Sequence, residues 1–252
     1  MLSGLLTTLP LTLCLLLAAA STPAGAAPPA LQVPRALRPA GAAPPGWQEV
    51  ANEQGIVVYK RKVPESRFVE FRARAILDAP VLSVLAVLDD TGGYSEWVPG
   101  NLEMKILEKV SETDEVFYQA TDAPWPAKSR DYVGRFQFQK DDGKRSVEIE
   151  FRNTSHSSAP VRGDRVRMPF VRGLWVLQAA GDGRSTRAEL GVHMDPGGWI
   201  PAWLANWVTR YFPLDTLKNL QRVLREKEPN ADFVRRYKGW KEFGGWEAGP
   251  GR

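Results

Sequence analysis

Seven segments of this chain alternate polar and apolar residues with a period of two: Ile56 to Lys62, Phe68 to Leu77, Val116 to Asp122, Tyr132 to Phe138, Val147 to Arg152, Val166 to Leu177 and Thr186 to Met194. Successive side chains of a β-strand point to opposite faces, so the alternation predicts strands with one face buried. Seven or more strands joined by short polar turns argue for an antiparallel, strongly curved sheet. Asp141-Asp142-Gly143 and Gly181-Asp182-Gly183 are the clearest hairpin turns. A curved sheet leaves a concave face that another element must cover.

The cover is supplied by an apolar stripe near the end of the chain. Ile200, Trp203, Leu204, Trp207, Val208, Tyr211, Leu214, Leu217, Leu220, Val223 and Leu224 recur at spacings of three and four, which predicts one buried face of a helix over residues 201–226. Such a helix spans roughly 39 Å at about 1.5 Å per residue, enough to cross the mouth of the sheet. Asp195-Pro196-Gly197-Gly198-Trp199-Ile200-Pro201 launches it, with two glycines for the reversal and Pro201 in the first turn. The aromatic run Trp199, Trp203, Trp207 and Tyr211 suits either a packed core or a flat apolar ligand. Pro213 removes a backbone hydrogen bond inside this helix and predicts a kink. The kink either wraps the helix around the sheet or, with Gly197 and Gly198, forms a hinge for ligand entry. A shorter helix is expected over Val81 to Leu88, with Asp78 as N-cap and Pro80 in the first turn. The fold class is α+β: strands, a short helix, more strands and a closing helix.

Residues 1 to about 26 carry no charged side chain, an apolar run from Leu9 to Ala20 and the small residues Ala24-Gly25-Ala26, the pattern of an export signal cleaved near Ala26. An uncleaved anchor is the alternative, although the run is short of the about 20 residues of a full span. The expected location is the periplasm or the exterior. Cys14 is the only cysteine, so a mature chain holds no disulfide, thiolate nucleophile or cysteine metal site. Residues 27–46 read as an Ala/Pro-rich spacer, residues 47–228 as one domain, and residues 229–252 as a basic and aromatic tail.

The net charge is +4, with basic residues concentrated from Arg222 to Lys241. They either complement a helix C-terminus and solvate the tail, or dock to anionic lipid headgroups beside Trp240, Phe243 and Trp246. Export argues against a nucleic-acid partner. His156 and His193 lack the spacing of a metal site, so neither a metal nor another cofactor is expected. No catalytic residue stands out. Asp131 or Glu103 as a general acid on a hydrophobic substrate is the enzymatic alternative.

Three motifs in register resemble one family. The string Asp195 to Pro201, followed by Trp203 and Asn206, is similar to the end of the START domain, the lipid-transfer domain related to steroidogenic acute regulatory protein. Arg130-Asp131-Tyr132-Val133 resembles its Arg-Asp-aromatic-Val signature. Trp97-Val98-Pro99, leading into Asn101 to Leu107, resembles its Trp segment and the strand that follows. The resemblance covers about residues 47–228. It implies a helix-grip fold, in which the sheet grips the C-terminal helix around an apolar tunnel holding one lipid, usually without chemistry. A monomer that binds and transfers a sterol, phospholipid or other lipid is the expectation; a lipid sensor or envelope adaptor is the runner-up.

Arg130 shares strand phase with Tyr132 and Phe136, so it faces an aromatic row, and a charge on an interior face needs a partner. In the sterol-binding members, the resemblance implies, that partner is a glutamate matching Glu103, and the pair meets a lipid hydroxyl or head group. Glu103 shares its strand phase with Lys105 rather than with the apolar Met104 and Ile106, so a bulge or strand start at Glu103 is required. Alternation also proposes Val166, Met168 and Phe170 on one strand, and Ala188, Leu190, Val192 and Met194 on the last, as cavity wall. Trp125 lies in a loop that either guards the entrance or packs down. Trp175 is out of phase with Phe170 unless Gly173 marks a bulge.

Overall fold

The computed structural model describes residues 43–123, 125–200 and 211–239. Strands β1 (Gln48–Glu53), β2 (Ile56–Lys62) and β3 (Val69–Leu77) lead into helices α1 (Val81–Asp89) and α2 (Tyr94–Trp97). Strands β4 (Asn101–Ser111), β5 (Asp114–Thr121), β6 (Arg130–Asp141), β7 (Ser146–Thr154), β8 (Val166–Arg167), β9 (Phe170–Ala180) and β10 (Ser185–Asp195) follow. The chain closes with α3 (Phe212–Glu226) and α4 (Ala231–Gly239). The strands form one sheet in the order β1-β2-β3-β10-β9-β7-β6-β5-β4, every neighbour antiparallel, with the two-residue β8 paired parallel to β6.

All seven alternating segments are strands, but the segment from Val166 to Leu177 is broken. Pro169 has no N–H to give a ladder, and the chain resets its phase there, so that Phe170 opens β9 on the outer face and Val171 turns inward. The β9 register then runs without a shift against both β10 and β7. Two strands lie outside the alternating segments, β1 and β4, and both are edges. Three register shifts interrupt β4, which blurs its period and protects the edge from pairing.

Helix α1 begins after Pro80, whose extended backbone makes it the N-cap, and no side chain caps it. Asp78 therefore does not hold the N-cap position expected of it. Residues 201–210, with Trp203 and Trp207, lie outside the described residues, and α3 starts at Phe212. Pro213 consequently sits in the first turn of α3, where its missing N–H leaves no bond unmade, rather than inside a helix it would kink. Leu214, Leu217, Leu220 and Val223 form the buried stripe of α3, which packs against β2, β3 and α2. Burying each of these side chains contributes about 1.5–3 kcal/mol. Within the segment read as a tail, α4 packs on α1 and buries Tyr237. The main core lies between the inner face of the sheet and these helices.

Candidate ligand-binding cavity

The core is not filled everywhere. Between the inner faces of β3, β5, β6, β9 and β10 and the helices α2 and α3 lies a cavity of about 310 Å³. Two glycines shape its wall. A methyl group at Gly134 would meet the ring of Phe117 at 2.3 Å, and one at Gly173 would meet the ring of Phe151 at 2.1 Å, so each glycine lets an aromatic ring lie flat on the strand. Phe136 stacks on Phe117 at 4.0 Å between centroids, and Trp97 meets Trp175 edge-on at 6.3 Å.

The expected wall is largely present: Arg130, Tyr132, Phe136, Met168, Leu190, Val192 and Met194 border the cavity. Ala188 is buried in the core beyond it, and Val166 instead supports the turn at Gly197. Phe170 faces the other side of the sheet, with its ring against His193 at 5.2 Å, because the phase resets at Pro169. The same reset brings Trp175 into the wall without any bulge. Trp199 and Tyr211 are exposed, although each neighbours a wall residue, Ile200 and Phe212 respectively.

The pairing of Glu103 with Arg130 is not formed. A register shift between Asn101 and Glu103 does occur, but Glu103 lies beside Lys105 Nζ at 2.9 Å and Arg165 Nη1 at 3.2 Å. Hydrogen bonds from these cations hold its carboxyl below the usual range. Arg165 also donates to the Tyr118 hydroxyl at 2.7 Å, which in turn donates to Asp131 at 2.9 Å. Glu103 therefore belongs to a network on the outer face, built around Asp131.

Arg130 is only 6% exposed, and its Nη1 donates to the carbonyl of Lys128. Burial pulls its pKa down. Beside it, Tyr132 donates to Gln119 Oε1 at 2.8 Å, and Gln119 Nε2 reaches Asn101 Oδ1 at only 3.4 Å. Sequence reasoning missed Gln119, although the alternation through β5 places it on the face of Phe117. It also missed Tyr94 and Trp97 as wall. Tyr94 donates to the carbonyl of Leu88 at 2.9 Å, whereas the buried indole N–H of Trp97 has no partner among the described residues.

One end of the cavity is bordered by Pro99, Gly100, Asp122, Ala123, Pro196 and Ile200, residues of three connecting segments. Gly197 and Gly198 adopt φ of +65° and +62° there. The N–H of Gly197 donates to Asp195 Oδ1 at 2.8 Å, and a methyl group at Gly197 would stand 3.0 Å from Pro169 Cδ. The turn thus requires glycine twice over, for its backbone and for its contact with the segment after β8. Among the described residues no cluster of three or more His, Cys, Asp or Glu could hold a metal ion, and no helix is long and apolar enough to cross a membrane.

Residues 35–229 match the family model of the START domain. An uncharacterized protein of Pseudomonas aeruginosa is 32% identical over 182 residues, covering 72% of this chain and 88% of its own length. The bovine phosphatidylcholine transfer protein is 27% identical over 180 residues, with 70% and 83% covered. Among solved structures, the STAR-related lipid transfer protein of Xanthomonas axonopodis aligns with a TM-score of 0.64 at 33% identity, covering 72% of this chain and 99% of that one. Human STARD10 aligns with a TM-score of 0.66 at 19% identity over 80% of both chains, a likeness of fold.

Proposed function

Because this chain belongs to the START domain family, we propose that it binds a single lipid in the cavity between the sheet and its C-terminal helices and transfers it between membranes, without chemical conversion. The observation that carries this reading is a cavity of about 310 Å³ walled by Phe136, Trp97, Trp175 and aliphatic side chains. An apolar wall with a few convergent polar groups favours a mostly hydrocarbon ligand held by one polar end. The relatives named for lipid transfer support the same reading.

The relatives named for lipid transfer favour binding over catalysis. Tyr132 and Tyr94 have hydroxyls whose pKa burial pushes up, and Arg130 is a cation, so none is poised near neutral pH as a general base. The N-terminal features of residues 1–26 support export, with the periplasm or exterior as the working compartment.

Native mass spectrometry of the protein purified from its own host, with organic extraction of bound molecules, tests the binding reading. A stoichiometric lipid is expected. An empty protein that also fails to take up sterols, phospholipids and fatty acids would shift weight to an adaptor or enzyme. Transfer is tested with donor and acceptor liposomes, where uptake without release would instead support a sensor. The mass of the mature N-terminus in a periplasmic fraction tests cleavage near Ala26.

A further inference from the structure

We infer that the ligand of this cavity is a single-chain amphiphile with an anionic head, a carboxylate or a phosphate, seated on the guanidinium of Arg130. This rests on the lipid-binding reading and narrows its substrate class. Arg130 opens β6 on the inner face and borders the cavity together with Tyr132 and Gln119. A guanidinium withdrawn from water needs an opposite charge and full hydrogen bonding to be stable there. The protein supplies Arg130 with one neutral acceptor, the carbonyl of Lys128, and among the described residues no carboxylate pairs with it.

Of the carboxylates that sequence or space would offer, three face other cations and Asp122 meets a hydroxyl. Asp131 turns to the opposite face and holds Arg167 at 2.8 Å. Glu103 pairs with Lys105 and Arg165. Asp122 borders the mouth, where it accepts from Ser129 at 2.9 Å. Asp195 lies 3.9 Å from Arg67, the other cation bordering the cavity, which is exposed at the rim.

The guanidinium presents a planar fork of donors that fits a carboxylate or phosphate through two parallel bonds. A neutral hydroxyl fills a donor but leaves the charge unbalanced; an anion does both. The amide of Gln119, with only its long contact to Asn101, adds a second donor near the same end. The volume, about 310 Å³, stands at the low end of the roughly 300–1,000 Å³ of small-molecule sites and favours one hydrocarbon chain over two.

Titration of the intact protein with palmitate, 1-palmitoyl lysophosphatidic acid, hexadecanol, cholesterol and dipalmitoylphosphatidylcholine, each followed by tryptophan fluorescence, tests the inference. At least one single-chain anion is expected to bind about tenfold or more tighter than hexadecanol, which has the same chain and no charge. Arg130→Gln should bring that anion down to the level of hexadecanol. Preference for palmitate identifies a carboxylate ligand, and preference for lysophosphatidic acid a phosphate. Hexadecanol, cholesterol or the two-chain lipid binding as tightly as both anions overturns the inference while leaving lipid binding intact. Undiminished anion preference in a folded Arg130→Gln overturns it as well. No binding of any lipid overturns the lipid-binding reading and this inference together. If Arg130→Gln does not fold, the wild-type contrast between palmitate, lysophosphatidic acid and hexadecanol decides.

Discussion

Arg130 and Asp131 are consecutive in β6 and serve opposite faces of the sheet: Arg130 borders the cavity with no carboxylate partner among the described residues, whereas Asp131 is buried on the outer face beneath Arg167. One strand step thus separates the polar group available to a ligand from the one that holds the fold. Asp131 accepts from Arg167 Nε at 2.8 Å and Nη2 at 3.1 Å, and from Tyr118 at 2.9 Å, while Arg167 also donates to the carbonyls of Ala159 and Pro160. The network ties β5, β6, β8 and the loop before β8 into one unit.

Asp131→Asn should therefore destabilise the protein while sparing the composition of the cavity wall. Losing the charge from hydrogen bonds to Arg167 costs about 1.5–3 kcal/mol. For a domain of this size that lowers Tm by roughly 3–12 °C, which circular dichroism would record. An unchanged Tm would remove the network from the account of stability. Burial raises the carboxyl of Asp131, but hydrogen bonds from Arg167 and Tyr118 outweigh it and hold the pKa below the usual value. A folded value below the unfolded one contributes stability that is present above about pH 4 and is lost as pH falls through the folded value. The acid limb of a Tm-against-pH curve should accordingly be shallower in Asp131→Asn.

Gly173→Ala should close part of the cavity. The added methyl group would stand 2.1 Å from Phe151 Cζ, so the ring must leave the strand surface and enter the space it borders. Overpacking of this kind costs about 1–3 kcal/mol and lowers ligand uptake. The double variant Gly173→Ala, Phe151→Leu relieves the clash and should recover uptake, measured as bound lipid per protein by native mass spectrometry. Uptake unaffected by Gly173→Ala alone would place the ligand away from this wall.

How far the sequence exposed this architecture depends on where periodicity survives. Strands with clean alternation, such as β6 and β10, declare both their existence and their inward residues, so Tyr132, Leu190 and Val192 are legible. Alternation loses its meaning where the phase resets: Pro169 reverses the assignment of Phe170 and Trp175, and bulges in β4 turn Glu103 toward Arg165. Whether two charges meet is a matter of register and facing, which a motif does not encode. The motif residue Arg130 lies at the cavity as the resemblance implies, but its partner does not follow. Trp97 carries the resemblance, but its place in the wall is not legible, because a four-residue helix shows too little periodicity to reveal its inward face.

His193 links the rim to the sheet. Its Nε2 lies 3.0 Å from Ser66 Oγ, and its ring also bonds to the backbone of Phe68, next to Arg67 and Phe68 on the cavity rim. Burial holds its pKa below the ordinary value; Arg61 adds to this, while Glu70 and Asp195 oppose it. An unfolded chain binds this proton first as pH falls, so the stability contributed by neutral His193 is present above about pH 6.5 and declines as pH drops toward the folded value. Tm should fall over that window in the wild type and stay flat in His193→Gln. Identical curves for the two proteins would show that His193 is not the group responsible.

The segments around the mouth expose two large aromatics. Trp125 is 90% exposed and Trp199 is 73% exposed, and each lies close in sequence to residues that border the cavity, Ala123 and Ile200. An indole partitions well into the boundary between water and hydrocarbon, where its ring is buried and its N–H stays hydrated. Docking by these two side chains would set the mouth against a lipid surface, so that the ligand need not cross water. Trp125→Ala and Trp199→Ala should each lower liposome-to-liposome transfer by roughly fivefold or more, since each removes interfacial apolar area. Equilibrium binding of a monomeric lipid in detergent-free solution should remain unchanged. Blue-shifted fluorescence on adding vesicles, lost in the double variant, would report the insertion directly. A double variant that transfers at the wild-type rate would move membrane contact to the basic segment after Arg222.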